Sequence, residues 1–128
     1  MNNTFTYVHK NDVESVKKLI ESNEIDIEYR DTCGNTLLHL SIMSKSLDVF
    51  KYLIDIGVDI ETKNNYGKTP LHKAMMYKNI EVIKRLLEHD ANINKKDYYG
   101  YTPMDYYINK EEILNLMRLT KLNKIYGK

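Results

Sequence analysis

Three short segments of this 128-residue chain repeat one another at a fixed distance. Gly34 opens GNTLLHLS, Gly67 opens GKTPLHKA and Gly100 opens GYTPMDYY, so the spacings are 67 − 34 = 33 and 100 − 67 = 33. A second motif keeps the same step: LDVFKYLI starts at Leu47, IEVIKRLL at Ile80 and ILNLMRLT at Ile113. An earlier copy, VESVKKLI, starts at Val13, 34 residues before Leu47; the extra residue falls between Ser22 and Ile25, where a loop tolerates it. A repeat of this length is one supersecondary unit that buries its apolar face only against its neighbours, so the chain must stack.

Each unit reads as two short helices. Thr69 followed by Pro70 is a helix start, because Thr caps free N–H groups and Pro is pre-set for the first turn. Leu71, Ala74 and Met75 then recur at helical spacing, and Ile80, Ile83, Leu86 and Leu87 form a second stripe. The doubled register predicts helix pairs at roughly 4–10 and 13–22, 37–44 and 47–55, 70–77 and 80–88, and 103–109 and 111–121. The polar stretches Asp59 to Tyr66 and Asn92 to Tyr99 join the units, and the tail KLNKIYGK is expected to fray.

These units resemble the ankyrin repeat, whose period is 33 and whose signature is T-P-L-H-x-A. The clearest copy spans Asn64 to Lys96, with TPLHKA at 69–74 and IEVIKRLLEHDANIN at 80–94. The resemblance implies an all-α solenoid of about four helix-turn-helix units joined by β-hairpin-like fingers. The units run roughly 1–30, 31–63, 64–96 and 97–128, as one complete domain in which the first and last act as caps. Lys45 and Lys78 stand where the family usually has Gly between the helices, so a non-Gly residue must carry a left-handed turn. In the last unit Asp105 replaces the signature His and Tyr107 the small Ala, bulk that a unit with no following neighbour tolerates. The first unit lacks the TPLH run, leaving Phe5 and Val8 as its core contacts.

Charge narrows the function classes. Lys and Arg number 19 against 18 Asp and Glu, a net charge of +1. That balance argues against nucleic acid, which needs a basic excess to displace counterions. One cysteine, Cys33, permits no intramolecular disulfide and fits a reducing, cytoplasmic compartment. The N-terminal MNNTFTYVHKND has no apolar core of a signal peptide, and no apolar run is long enough for membrane insertion. Lys, Asn, Ile and Tyr together supply 53 residues, a bias that fits an A+T-rich genome such as that of a large DNA virus, an intracellular bacterium or a protist. From such a source, a host-directed inhibitor acting in host cytoplasm or nucleus becomes an alternative function, including one similar to the ankyrin-type inhibitors of NF-κB.

No nucleophile elbow, phosphate loop or zinc-protease motif occurs, so neither a catalytic residue nor a cofactor nor a small-molecule substrate is expected. His39 and His72 lie 33 apart and could suggest a metal site with Cys33. The resemblance instead implies that each bonds the Thr of its own motif, and no metal is expected. Partners of ankyrin repeats usually meet the finger tips and the exposed side of each first helix. Residue by residue this implies Arg30, Thr32, Cys33, Asn35, Met43 and Ser44, then Lys63, Asn65, Tyr66, Lys68, Met76 and Tyr77, then Lys96, Tyr98, Tyr99, Tyr101 and Asn109. Tyr66, Tyr77, Tyr98, Tyr99, Tyr101, Met43, Met76, Lys63 and Lys68 are the candidate contacts, because Tyr buries much area at little rotamer cost and Met adapts its shape. The expected function is non-enzymatic protein binding by a monomer. A salt-sensitive nucleic-acid or lipid-head-group binder using Lys63, Lys68, Lys73 and Lys96 is a further alternative.

Overall fold

The computed structural model describes residues 4–127. The chain forms α1 (Thr4–His9), α2 (Val13–Glu21), α3 (Leu37–Met43), α4 (Leu47–Asp55), α5 (Pro70–Met76) and α6 (Ile80–Glu88). A 3-10 turn, η1 (Pro103–Tyr106), and a long α7 (Lys110–Tyr126) follow. None of the first six helices exceeds 9 residues, too short to persist alone in water, so tertiary packing must hold them. They pack in two rows: α1, α3, α5 and η1 touch in sequence along one, while α2 meets α4 and α6 meets α7 along the other.

The repeat is visible in the core. Val49, Phe50 and Leu53 of α4 and Val82, Ile83 and Leu86 of α6 are sealed from solvent at equivalent places. Full burial of each such side chain is worth about 1.5–3 kcal/mol. Lys45 and Lys78 carry the turn between the paired helices at φ 57° and 54°, and Asn11 does so in the first unit at 57°. Asn11 also reaches across to α4: its Oδ1 accepts from Val49 N at 3.1 Å and its amide donates to Asp48 at 3.1 Å. The hydroxyl of Ser46, which precedes α4, donates to the Val8 carbonyl instead of capping its own helix. The first and second units are thereby joined through polar atoms as well as through their core.

The last unit departs from the expected pair at 103–109 and 111–121. Its first segment is only the four-residue turn η1, after which Tyr107 leaves helical geometry at φ −110°, ψ 125°. The reason lies at that position: Ala74 is wholly buried where the helices pack, and a tyrosine has no room there. The backbone turns out, and Tyr107 packs at the start of α7 with its hydroxyl on Glu112 at 2.8 Å. Along the tail that was expected to fray, α7 continues to Tyr126, with Lys124 bonded to Asp90. Residues 1–3 of the first unit and Lys128 of the last lie outside the described residues.

Candidate functional site

The fingers are built by one device repeated. Asp31, Asn64 and Asp97 each turn a side-chain oxygen onto the backbone two and four residues ahead. Asp31 accepts from Cys33 N at 2.9 Å and Asn35 N at 2.8 Å. Asn64 accepts from Tyr66 N and Lys68 N, and Asp97 from Tyr99 N and Tyr101 N, at 2.9–3.0 Å. Such side-chain turns are what Asn and Asp do best in loops. Gly34, Gly67 and Gly100 complete each turn at φ 78°, 78° and 87°. The second finger narrows to a single antiparallel bridge, Arg30 to Thr36, and no strand forms among the described residues.

The fingers then lock together. Asn65 N donates to the Cys33 carbonyl at 2.9 Å and Tyr98 N to the Tyr66 carbonyl at 3.0 Å. Arg30 spans two fingers, donating to the carbonyls of Gly34 and Lys63. A Cβ on Gly34 would collide with Asn65 at 2.3 Å, and one on Gly67 with Tyr98 at 2.6 Å, so glycine is required for this close approach. Gly100 faces open space, because no further finger follows it among the described residues.

The two histidines are structural members of this lattice. His39 Nε2 donates to the Lys68 carbonyl at 2.8 Å and its Nδ1 accepts from Thr36 N at 3.1 Å. His72 does the same with the Tyr101 carbonyl and Thr69 N. A carbonyl can only accept and a backbone N–H can only donate, so both rings are neutral with the proton on Nε2. Burial holds His39 neutral, lowering its pKa to about 4, and burial lowers that of His72 as well. Asp105, in the equivalent place of the last unit, accepts from Thr102 N at 2.9 Å but reaches no neighbouring unit among the described residues.

Of the candidate contacts, Tyr66, Tyr77, Tyr98, Tyr99, Tyr101 and Met76 are exposed, as is Lys63, while Met43 is half-buried. Tyr98 and Tyr99 are the freest, at 69% and 64% exposure. Lys63 lies over the Tyr98 ring, and Tyr101 meets Tyr106 edge-on. Lys68 departs from the expectation of a surface contact. It is 6% exposed, and its ammonium sits 2.9 Å from Asp97, beneath the rings of Tyr99 and Tyr106. The reason is its register: 29 residues separate Lys68 from Asp97, as they separate Asn35 from Asn64, which bond at 3.0 Å. Position 35 or 68 points into the next finger rather than outward, and Asn35 is buried for the same reason.

Sequence reasoning missed this polar seam. Its signal was the 29-residue offset between facing residues, which is one repeat less the four residues between turn start and turn end. At the seam's third member, the Tyr106 hydroxyl donates to Asp97. Burial alone would raise the Asp97 pKa, but the bonds from Tyr106, Lys68, Tyr101 and Tyr99 outweigh it and hold the group well below the usual carboxylate range. Burial likewise opposes the charge on Lys68, and its bonds to Asp97 and Tyr106 more than restore it.

A family model described as ankyrin repeats, three copies, matches residues 5–97 and 56–119. No curated protein matches the chain. Ankyrin repeats generally mediate protein–protein interaction and are typically non-enzymatic. Among the described residues no helix is long and apolar enough to cross a membrane. The family match spans residues 5 to 119, and helix pairs, finger glycines and T-x-x-H bonds recur in its register: the chain belongs to the ankyrin-repeat family.

Proposed function

We propose that this chain binds a partner protein through its finger tips and the adjoining ends of its first helices. Tyr66, Tyr98, Tyr99 and Tyr101 on the fingers form the contact surface with Tyr77, Met76 and Met43 from the helices. Lys63 stands at the edge, and Lys68 holds the third finger to the fourth from beneath. The observation that carries this reading is four exposed finger tyrosines on a backbone fixed by finger-to-finger hydrogen bonds. Rings held in place lose little freedom on binding, which is why tyrosine dominates rigid binding faces. The exposed, unpaired Cys33 on the same face suits a reducing, intracellular setting.

Affinity capture from cell lysate with mass spectrometry would supply the partner, and alanine substitutions would then test the face. Tyr66→Ala and Tyr77→Ala are expected to keep the thermal transition of the parent. At least one should weaken the purified partner by about 2 kcal/mol or more, because hot spots concentrate energy in few residues. Full affinity with a lowered transition temperature would make these rings packing residues and place the partner elsewhere.

A further inference from the structure

The first-helix face carries a charge that the fold leaves without a partner. Lys73, on α5, is nine-tenths buried, yet its ammonium forms no hydrogen bond or ion pair among the described residues. Its tip is not sealed, since the sealed, unbonded side-chain atoms lie elsewhere. Lys68 shows what the fold does with a buried lysine it needs for itself: it supplies Asp97 at 2.9 Å. Lys73 has no such carboxylate. The Cys33 thiol and the Asp31 carboxylate act on it from the second finger, and Asp31 is already committed to Cys33 N, Asn35 N and the Asn35 amide. Burial, with the nearby charge of Lys68, lowers the Lys73 pKa, so the ammonium is held at a cost until an anion meets it.

The register relates Lys73 to an open groove one unit earlier. Leu40, one repeat before Lys73, lines an open groove with Phe5, Val8, His9, Asp31 and Ser44. One unit further along, the places of His9, Asp31 and Ser44 are taken by Met43, Asn64 and Tyr77. Lys73 therefore stands at the register position of the groove-lining Leu40, where the neighbouring places include two of the candidate contacts. A single ammonium without a partner suits one carboxylate better than a phosphate backbone, which needs a row of cations.

We propose that Lys73 is the anion-recognition point of this face, accepting an aspartate or glutamate side chain from an acidic segment of the bound protein. The proposal rests on the reading that the finger and first-helix face is the binding surface.

A displayed random-peptide library selected against the full chain supplies the probe. Winners on the wild type should be enriched in Asp or Glu at a fixed position. Their affinity should fall at least tenfold on Lys73→Met and on Lys73→Gln, and by a similar factor when the peptide's acid is replaced by its amide. Both variants should melt no lower than the parent, because they remove an unpaired buried charge. Winners that bind Lys73→Met as well as the wild type overturn the proposal; if they lose affinity to Tyr66→Ala or Tyr77→Ala, the binding face itself stands. Winners indifferent to all four substitutions overturn both readings. Melting well below the parent in Lys73→Met and Lys73→Gln alike would make Lys73 a structural residue. Lys73-dependent capture of an oligonucleotide, in preference to acidic peptides, would also overturn the proposal.

Discussion

The junction between the second and third fingers and that between the third and fourth use the same backbone and different side chains. Both carry the cross-finger N–H to carbonyl bond, a histidine reaching the next unit and a glycine pressed by its neighbour. At the first junction the buried polar pair is neutral, Asn35 with Asn64. At the second it is charged, Lys68 with Asp97, and Tyr106 joins it. The backbone ladder is thus generic, and the buried pair is where one unit distinguishes its neighbour. A lysine facing Asn64, or an aspartate facing Asn35, would be a buried charge without an opposite. Removing one member of a buried pair is far costlier than replacing both. Asp97→Ala should therefore have the largest effect, about 3–5 kcal/mol by denaturant unfolding, since Lys68, Tyr106 and two backbone N–H groups lose their acceptor together. The double variant Lys68→Asn, Asp97→Asn rebuilds the chemistry of the first junction in the second and should recover most of that loss. A double variant no better than Asp97→Ala would show that the two junctions are not interchangeable.

A second contrast separates the interior of the stack from its end. Leu53, Leu86 and Leu119 share one register, yet the first two are sealed and Leu119 is 56% exposed on α7. Leu86→Ala opens a cavity between stacked helices and should cost about 2–5 kcal/mol. Leu119→Ala should change stability by less than about 1 kcal/mol, close to the surface control Glu88→Ala. Equal losses at 86 and 119 would mean that the outward side of α7 is covered in solution.

How far the sequence reaches follows the same division. Helices α1 to α6 were legible because their apolar spacing, with the Thr69-Pro70 start in the clearest copy, agrees with the repeat. The left-handed turns at Lys45 and Lys78 were legible too, since a missing glycine does not alter the count of residues between the helices. The last unit was not. Its Thr-Pro start predicts a full helix, and only the packing around Ala74 shows why Tyr107 ends it after one turn. The exposed tyrosines followed from position within the repeat, whereas Lys68 did not. A lysine in a polar loop reads as solvated, and its burial depends on Asp97, which belongs to another unit. Lys73 stood out only as one cation of a basic set, because nothing in the sequence marks the lack of an acid partner for a lysine.

The last contrast concerns the histidines, and it sharpens the difference between a unit that meets a following finger among the described residues and one that does not. His39 and His72 each fasten their own helix start and donate to the next unit, while Asp105 does only the first. His72→Asp should keep the helix start but strip the Tyr101 carbonyl of its donor, at a cost of about 1–3 kcal/mol. Asp105→His gains no carbonyl to meet and should stay within about 0.5 kcal/mol of the parent. Titration separates the two roles further. His39 is neutral in the fold with a pKa near 4, against the ordinary 6.5 of the unfolded chain. Above pH 6.5 neither state holds the proton and the group makes no pH-dependent contribution. Between about 6.5 and 4 the unfolded chain takes the proton first, so stability falls as pH falls, and below 4 this loss is complete. His39→Gln keeps an N–H for the Lys68 carbonyl but cannot titrate. The difference in unfolding free energy between parent and variant, followed from pH 7 to 4, should therefore shrink steadily, with the variant closing on the parent. A difference constant across that range would mean that the ring is protonated equally in both states, and that its two bonds do not hold it neutral.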